Sequence, residues 1–153
     1  MGAGKGYGKT ILFGEHFVVY GLPSIVAALG AYTLAEVRVV KGSGWTVNDQ
    51  RPATPGYKEQ KHNDAMQSIA NIISHLKVDA QSQKLEIFFA GDLIATSGVG
   101  ASAAQCTSLA RALNETFNLS LDYEKINEAA YEGEKAYHGT PSGIDNTAST
   151  YGG

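Results

Sequence analysis

The chain has 153 residues, 43% of them hydrophobic, which suffices for one compact domain whose core needs no disulfide or metal staple. A net charge of −3 and a single cysteine exclude a basic footprint for nucleic acid or anionic membrane, a disulfide framework and a cysteine–histidine zinc cluster. Glycine is in excess, 18 residues or about 12% against a usual ~7%, and charged residues are sparse at 18% against a usual ~25%.

In chain order, Met1–Tyr7 is glycine-rich and reads as a loose opening without a signal-peptide pattern. Lys9–Phe13 reads as a short strand broken by Gly14-Glu15-His16. The apolar stretch Phe17–Leu29 is turned by Gly21-Leu22-Pro23. From Thr33 to Val40, Ala35, Val37 and Val39 alternate with Leu34, Glu36 and Arg38, which predicts a strand with one wetter face. Asn48–His62 carries Pro52, Pro55 and several charges and reads as a surface loop.

Helical spacing follows over Asn63–Val78, where Met66, Ile69, Ala70 and Ile73 fall on one face. Lys84–Ala90 alternates again as a strand. Two further helices are predicted. Ala101–Phe117 turns Cys106, Leu109, Ala110, Leu113 and Phe117 inward, and Asp122–Tyr137 does so with Ile126, Ala129, Ala130, Gly133 and Tyr137. The small face of that last helix invites close approach of another backbone. No apolar run reaches the ~18 residues of a membrane helix. The class is α+β.

Three places carry chemistry. Thr96-Ser97-Gly98-Val99-Gly100-Ala101-Ser102-Ala103-Ala104 opens a helix, where unpaired N–H groups and the helix dipole attract an anion such as phosphate. It is neither a Walker A loop nor a dinucleotide fingerprint, and a Ser N-cap behind a flexible turn is the plainer alternative. Glu134 and His138 share a helical face, and a single carboxylate such as Glu134 suits Mg²⁺ held jointly with substrate phosphates. Asp145, just beyond Pro141-Ser142-Gly143, suits a general base, or else an Asx-turn. Lys9 heads an apolar strand, where it either stabilises a developing charge or sits solvated at a strand end. A base, a hydroxyl, two carboxylates and an anion loop together suit phosphoryl transfer.

The run from Gly8-Lys9-Thr10-Ile11-Leu12-Phe13-Gly14-Glu15-His16 to Gly21 resembles the first motif of the GHMP small-molecule kinases, most closely their mevalonate-phosphorylating branch. Gly98–Ala104 is similar to the second motif. Gly133-Glu134 with His138-Gly139-Thr140-Pro141-Ser142-Gly143-Ile144-Asp145-Asn146 is similar to a third segment of that branch, continuing into Ser149-Thr150-Tyr151-Gly152-Gly153. Tyr7 and Ile94 stand where that family usually has proline, and Ala101 replaces the first serine of a pair.

The resemblance implies an α+β domain like the second domain of ribosomal protein S5, a mixed sheet packed with helices. It implies ATP and Mg²⁺ as cofactors and mevalonate as acceptor, in isoprenoid and sterol precursor synthesis. By the same resemblance Lys9 and Asp145 are catalytic. Gly98, Val99, Gly100, Ala101, Ser102 and Ala103 hold ATP, and Ser102 with Glu134 holds the metal. Lys9, Glu15, His16, His138 and Asp145 then contact substrate. Residues 1–153 are expected to form the N-terminal, ATP- and substrate-binding domain of a two-domain kinase, homodimeric at full length, and on their own to turn over weakly or not at all. The expected location is the cytoplasm, or else a peroxisome-type organelle. Alternatives are another family kinase, a galactokinase or phosphomevalonate kinase, or a noncatalytic ligand-binding relative.

Overall fold

The computed structural model describes residues 1–14 and 20–152. Four strands form one sheet: β1 (Gly2–Phe13), β2 (Ile25–Val40), β3 (Gly44–Asp49) and β4 (Lys84–Gly91), in the order β1-β2-β4-β3. β1 and β4 pair antiparallel with β2, while β3 runs parallel to β4, so the sheet is mixed as expected. The parallel step from β3 to β4 is bridged by the short α1 (Tyr57–Gln60) and by α2 (His62–His75), the long crossover that such pairing requires. Helices α3 (Ala101–Phe117), α4 (Tyr123–His138) and α5 (Ile144–Tyr151) complete the chain.

The alternating residues of β2 and β4 do what their period demands. Ala35, Val37, Leu85, Ile87 and Phe89 face one way and meet Ile69, Ile72, Leu109, Leu113 and Ile126 from α2, α3 and α4 in a continuous core. The small face of α4 packs inside the domain, against side chains rather than a backbone: a Cβ on Gly133 would lie 2.7 Å from Ile72 Cδ1 and 2.8 Å from Cys106 Sγ. Asp122 caps α4 by accepting the Lys125 N–H at 2.9 Å, and Gly139 ends it. α2 stops at His75, short of the predicted Val78, with Lys77 in the left-handed region at φ 53°.

Three expectations need correcting. Asn48–His62 is not one loop, since its first two residues end β3 and Tyr57–Gln60 is helical. The strand over Thr33–Val40 begins eight residues earlier, at Ile25. Met1–Tyr7 is not loose either; Gly2–Tyr7 is the first half of β1. Its glycines fall on one face, and α3 lies directly on them. A Cβ at Gly2 would sit 2.6 Å from the Thr116 nitrogen, one at Gly4 would strike Arg111 and Ser108, and one at Gly6 would strike the Ala104 carbonyl. Two strand residues advance about 6.7 Å and one helical turn about 5.4 Å, so each glycine meets successive turns of an antiparallel helix.

Gly6→Ala is therefore expected to cost about 3 kcal/mol of unfolding free energy, because the obstruction is backbone that cannot rotate away. Gly30→Ala, where nothing lies within 4 Å, should change stability by no more than about 0.5 kcal/mol. Urea unfolding of both variants measures the difference.

Candidate active site

β1 changes register against β2 between Tyr7 and Lys9, so that Gly8 and Lys9 are both buried where strict alternation would expose one. The irregularity lets the Lys9 N–H donate to the Val99 carbonyl at 2.9 Å, which ties the strand to the loop that opens α3. In that loop Gly98 and Gly100 adopt φ of 90° and 72°, a region that suits glycine. Gly100 is the residue that begins α3, with no side-chain cap and no acidic group in the first turn. The first intrahelical bond is Ala104 N–H to Gly100 O at 2.9 Å, leaving the N–H groups of Ala101, Ser102 and Ala103 for an anion. Ser102 is thus not an N-cap.

Lys9 is 7% exposed, which removes the solvated reading. Its stem crosses Gly100, where a Cβ would lie 2.7 Å from Lys9 Cγ. Its Nζ lies 3.1 Å from Asp145 Oδ1. Asp145 sits in the first turn of α5 behind Gly143 (φ 82°) and makes no capping bond, so the turn reading falls as well. Buried Asn146 donates to Asn127 Oδ1 at 2.7 Å and pins that turn of α5 to α4.

Glu134 is 1% exposed. Burial pushes its carboxyl up to about 7 and the negative charge of Asp145 adds to the shift, while the Ser102 hydroxyl, the Cys106 thiol and the Lys9 charge act the other way. His138 Nε2 lies 3.8 Å from Glu134 Oε2 at the helix surface, beside the carboxylate rather than paired closely with Lys9 or Asp145. Glu15 and His16 lie outside the described residues. A buried carboxylate with a hydroxyl beside it fits a hard divalent cation completed by substrate phosphates. Among the described residues no three His, Cys, Asp or Glu side chains form a metal cage of their own.

Sequence reasoning missed a cavity of about 450 Å³ beside Ser102, lined by Trp45, Arg51, Tyr57, Phe89, Gln105 and Tyr137 among others. Arg51, 6% exposed, donates from Nε and NH2 to the two carboxylate oxygens of Asp49 at 3.0 and 2.7 Å, and from NH2 to Gln105 Oε1 at 2.7 Å. Nothing local in a proline-flanked segment marks that arginine as buried. The cavity lies on the Ser102 side of the site, not over the Lys9–Asp145 pair.

The family model for the N-terminal domain of GHMP kinases matches residues 65–153. The chain belongs to the GHMP kinase family. Its fold superposes with a TM-score of 0.96 and 48% identity on L. major mevalonate kinase in complex with R-mevalonate, covering 100% of this chain and 47% of that one. The mevalonate kinase of Archaeoglobus fulgidus is 32% identical over 95% of this chain and 49% of its own length. Lactococcus lactis galactokinase complexed with galactose shares the fold at a TM-score of 0.79 with 18% identity, covering 99% of this chain and 42% of that one. The chain spans about half the length of the relatives it matches. The turn at Gly98–Ala104 and the α4–α5 junction, which resemble two of the family's motifs, are both brought against Lys9.

The raised carboxyl of Glu134 has a consequence for stability. A group ionising at about 7 in the folded chain and near 4.5 when unfolded favours the fold fully at acid pH, and that contribution is lost as pH rises from about 4.5 through about 7. Without divalent cations, the wild-type chain should lose about 3 kcal/mol over that window relative to Glu134→Gln, whose profile lacks this slope. Denaturant unfolding at a series of pH values measures it.

Proposed function

We propose that this GHMP domain carries the phosphate loop, the metal-holding carboxylate and the catalytic Lys–Asp pair of an ATP-dependent mevalonate kinase, forming 5-phosphomevalonate. The observation that carries the reading is the Lys9–Asp145 pair at 3.1 Å, set beside the first turn of α3, which no side chain caps. The choice of mevalonate over a sugar is supported by the 48% identity to the L. major enzyme, whose structure holds R-mevalonate.

Asp145 takes the proton of the acceptor's primary hydroxyl at its carboxylate as the new O–P bond forms. Lys9 Nζ stabilises the charge developing on that oxygen and on the transferred phosphoryl group, and its own position is fixed by Gly100 and by the bond from its N–H to the Val99 carbonyl. The N–H groups of Ala101, Ser102 and Ala103 hold the triphosphate, aided by the positive end of the 17-residue α3. Ser102 and Glu134 are the residues that would hold Mg²⁺, which when bound neutralises phosphate charge. The cavity beside Ser102, walled by Trp45, Tyr57 and Phe89, takes the nucleoside.

The test is mevalonate-dependent ADP release, measured for the 153-residue chain and for its fusion to the C-terminal half of L. major mevalonate kinase. The fusion is expected to turn over, and Asp145→Asn in it to lower kcat by about 10³-fold with the KM for ATP little changed. A folded fusion that binds ATP without mevalonate-dependent turnover would overturn the substrate assignment. Undiminished turnover in Asp145→Asn would remove the base.

A further inference from the structure

Arg51 stands outside the catalytic group yet is one of the most buried cations in the described chain, at 6% exposure. Its backbone N–H and Nε both donate to Asp49 Oδ1 at 3.0 Å, and NH2 donates to Asp49 Oδ2 and to Gln105 Oε1, each at 2.7 Å. NH1 reaches the Ala101 carbonyl at 3.4 Å, in the first turn of α3. Gln105 Oε1 also accepts from Tyr137 of α4 at 3.2 Å, and Asp49 is held from the far side by Lys58 of α1, whose Nζ lies 3.4 Å from Oδ1. One guanidinium thus joins the end of β3, the segment before α1, the phosphate-binding turn and α4.

The arrangement is not explained by stability. A guanidinium at the N-terminal end of a helix faces the positive pole of its dipole, and a buried ion pair is on average no better than well-packed apolar groups. Its geometry, however, is that of a brace: a planar donor held on three sides, with its ring-facing surface 5.5 Å from the centre of Phe89. Asp49, Arg51, Lys58, Gln105 and Tyr137 all line the cavity that Ser102 borders. What the brace fixes is the distance between that cavity's wall and the first turn of α3.

We propose that Arg51 is a positioning residue for nucleotide binding, locking the wall formed by Asp49–Lys58 against the phosphate-binding turn through Asp49, Gln105 and the Ala101 carbonyl. This rests on the reading of the site as a nucleoside-triphosphate site. Arg51 acts through the groups it holds, so its loss lowers affinity for the nucleotide and leaves the Lys9–Asp145 pair in place.

The experiment is calorimetric titration of the 153-residue chain with MgATP, read in parallel by the fluorescence of Trp45, the only tryptophan and itself a wall of the cavity. Arg51→Lys keeps the charge and loses the fork, and should bind MgATP about tenfold more weakly. The double variant Asp49→Asn with Arg51→Gln removes both charges of the buried pair, and the one partner left over, Lys58, is exposed enough to be solvated. It should recover the wild-type Tm while its affinity stays about tenfold low or worse. Wild-type affinity in either variant, with wild-type binding intact, would overturn the positioning role alone. No MgATP binding by the wild-type chain would overturn the nucleotide-site reading and the brace with it.

Discussion

Helix α3 rests on the glycine face of β1 with backbone against backbone, and that contact sets Lys9 against the turn that opens α3. No side-chain layer separates the two elements at Gly2, Gly4 or Gly6, so the helix cannot slide or tilt to absorb a change. The antiparallel course carries the start of α3 to the second half of the strand, where the register shifts between Tyr7 and Lys9 and Lys9 enters the interior. A lysine that would be solvated at an ordinary strand end becomes a buried cation across Gly100. Glycine excess, strand irregularity and phosphate loop are three aspects of one packing solution.

The second constraint is electrostatic. Lys9, Arg51 and Glu134 are all buried, with Asp145 half-buried beside Lys9 and Asp49 half-buried beside Arg51, in a domain that has few charges to spare. Removing charges from water is unfavourable unless partners replace the solvent. Arg51 and Asp49 satisfy one another, with the Asp49 carboxyl held below its ordinary value despite burial because Arg51 hydrogen-bonds to it and Lys58 adds its charge. Lys9 and Asp145 form a second pair, Nζ to Oδ1 at 3.1 Å. Burial of Glu134 outweighs what a hydroxyl, a thiol and the charge of Lys9 offer it, and its carboxyl rises accordingly. The site is asymmetric in this respect. Among the described residues its under-compensated carboxylate, Glu134, lies next to the turn that offers N–H groups to phosphate, the place where a divalent cation and a triphosphate would complete each other's charge.

Much of the fold could be read from periodicity. The β2 and β4 alternation and the apolar faces of α2, α3 and α4 follow their side chains because burial enforces those periods. The N-terminal half of β1 escaped because its signal is an absence: glycines at every second position leave no apolar pattern, and only the facing helix gives the stripe a meaning. β3 escaped for the opposite reason, being six residues long with half-buried Trp45 and Val47 and a proline-flanked exit. For the site, motif resemblance pointed to Lys9, Ser102, Glu134 and Asp145, and the geometry brings these four together. Residue chemistry alone left each of them ambiguous, since whether Ser102 or Asp145 caps a helix depends on which neighbour begins it, here Gly100 and Gly143. Arg51 could not be read at all. Its burial depends on Gln105 and Ala101, about fifty residues away in sequence.

On the proposed function, the strand–helix contact sets Lys9 and Asp145 to hold one acceptor hydroxyl in line with a phosphate on the first turn of α3. A crystal structure of the chain with R-mevalonate, Mg²⁺ and a non-hydrolysable ATP analogue tests it most directly. The expected result places the primary hydroxyl within hydrogen-bond distance of both Lys9 Nζ and the Asp145 carboxylate, with the terminal phosphate on the N–H groups of Ala101–Ala103. Phosphates bound away from α3, or a hydroxyl out of reach of that pair, would contradict it.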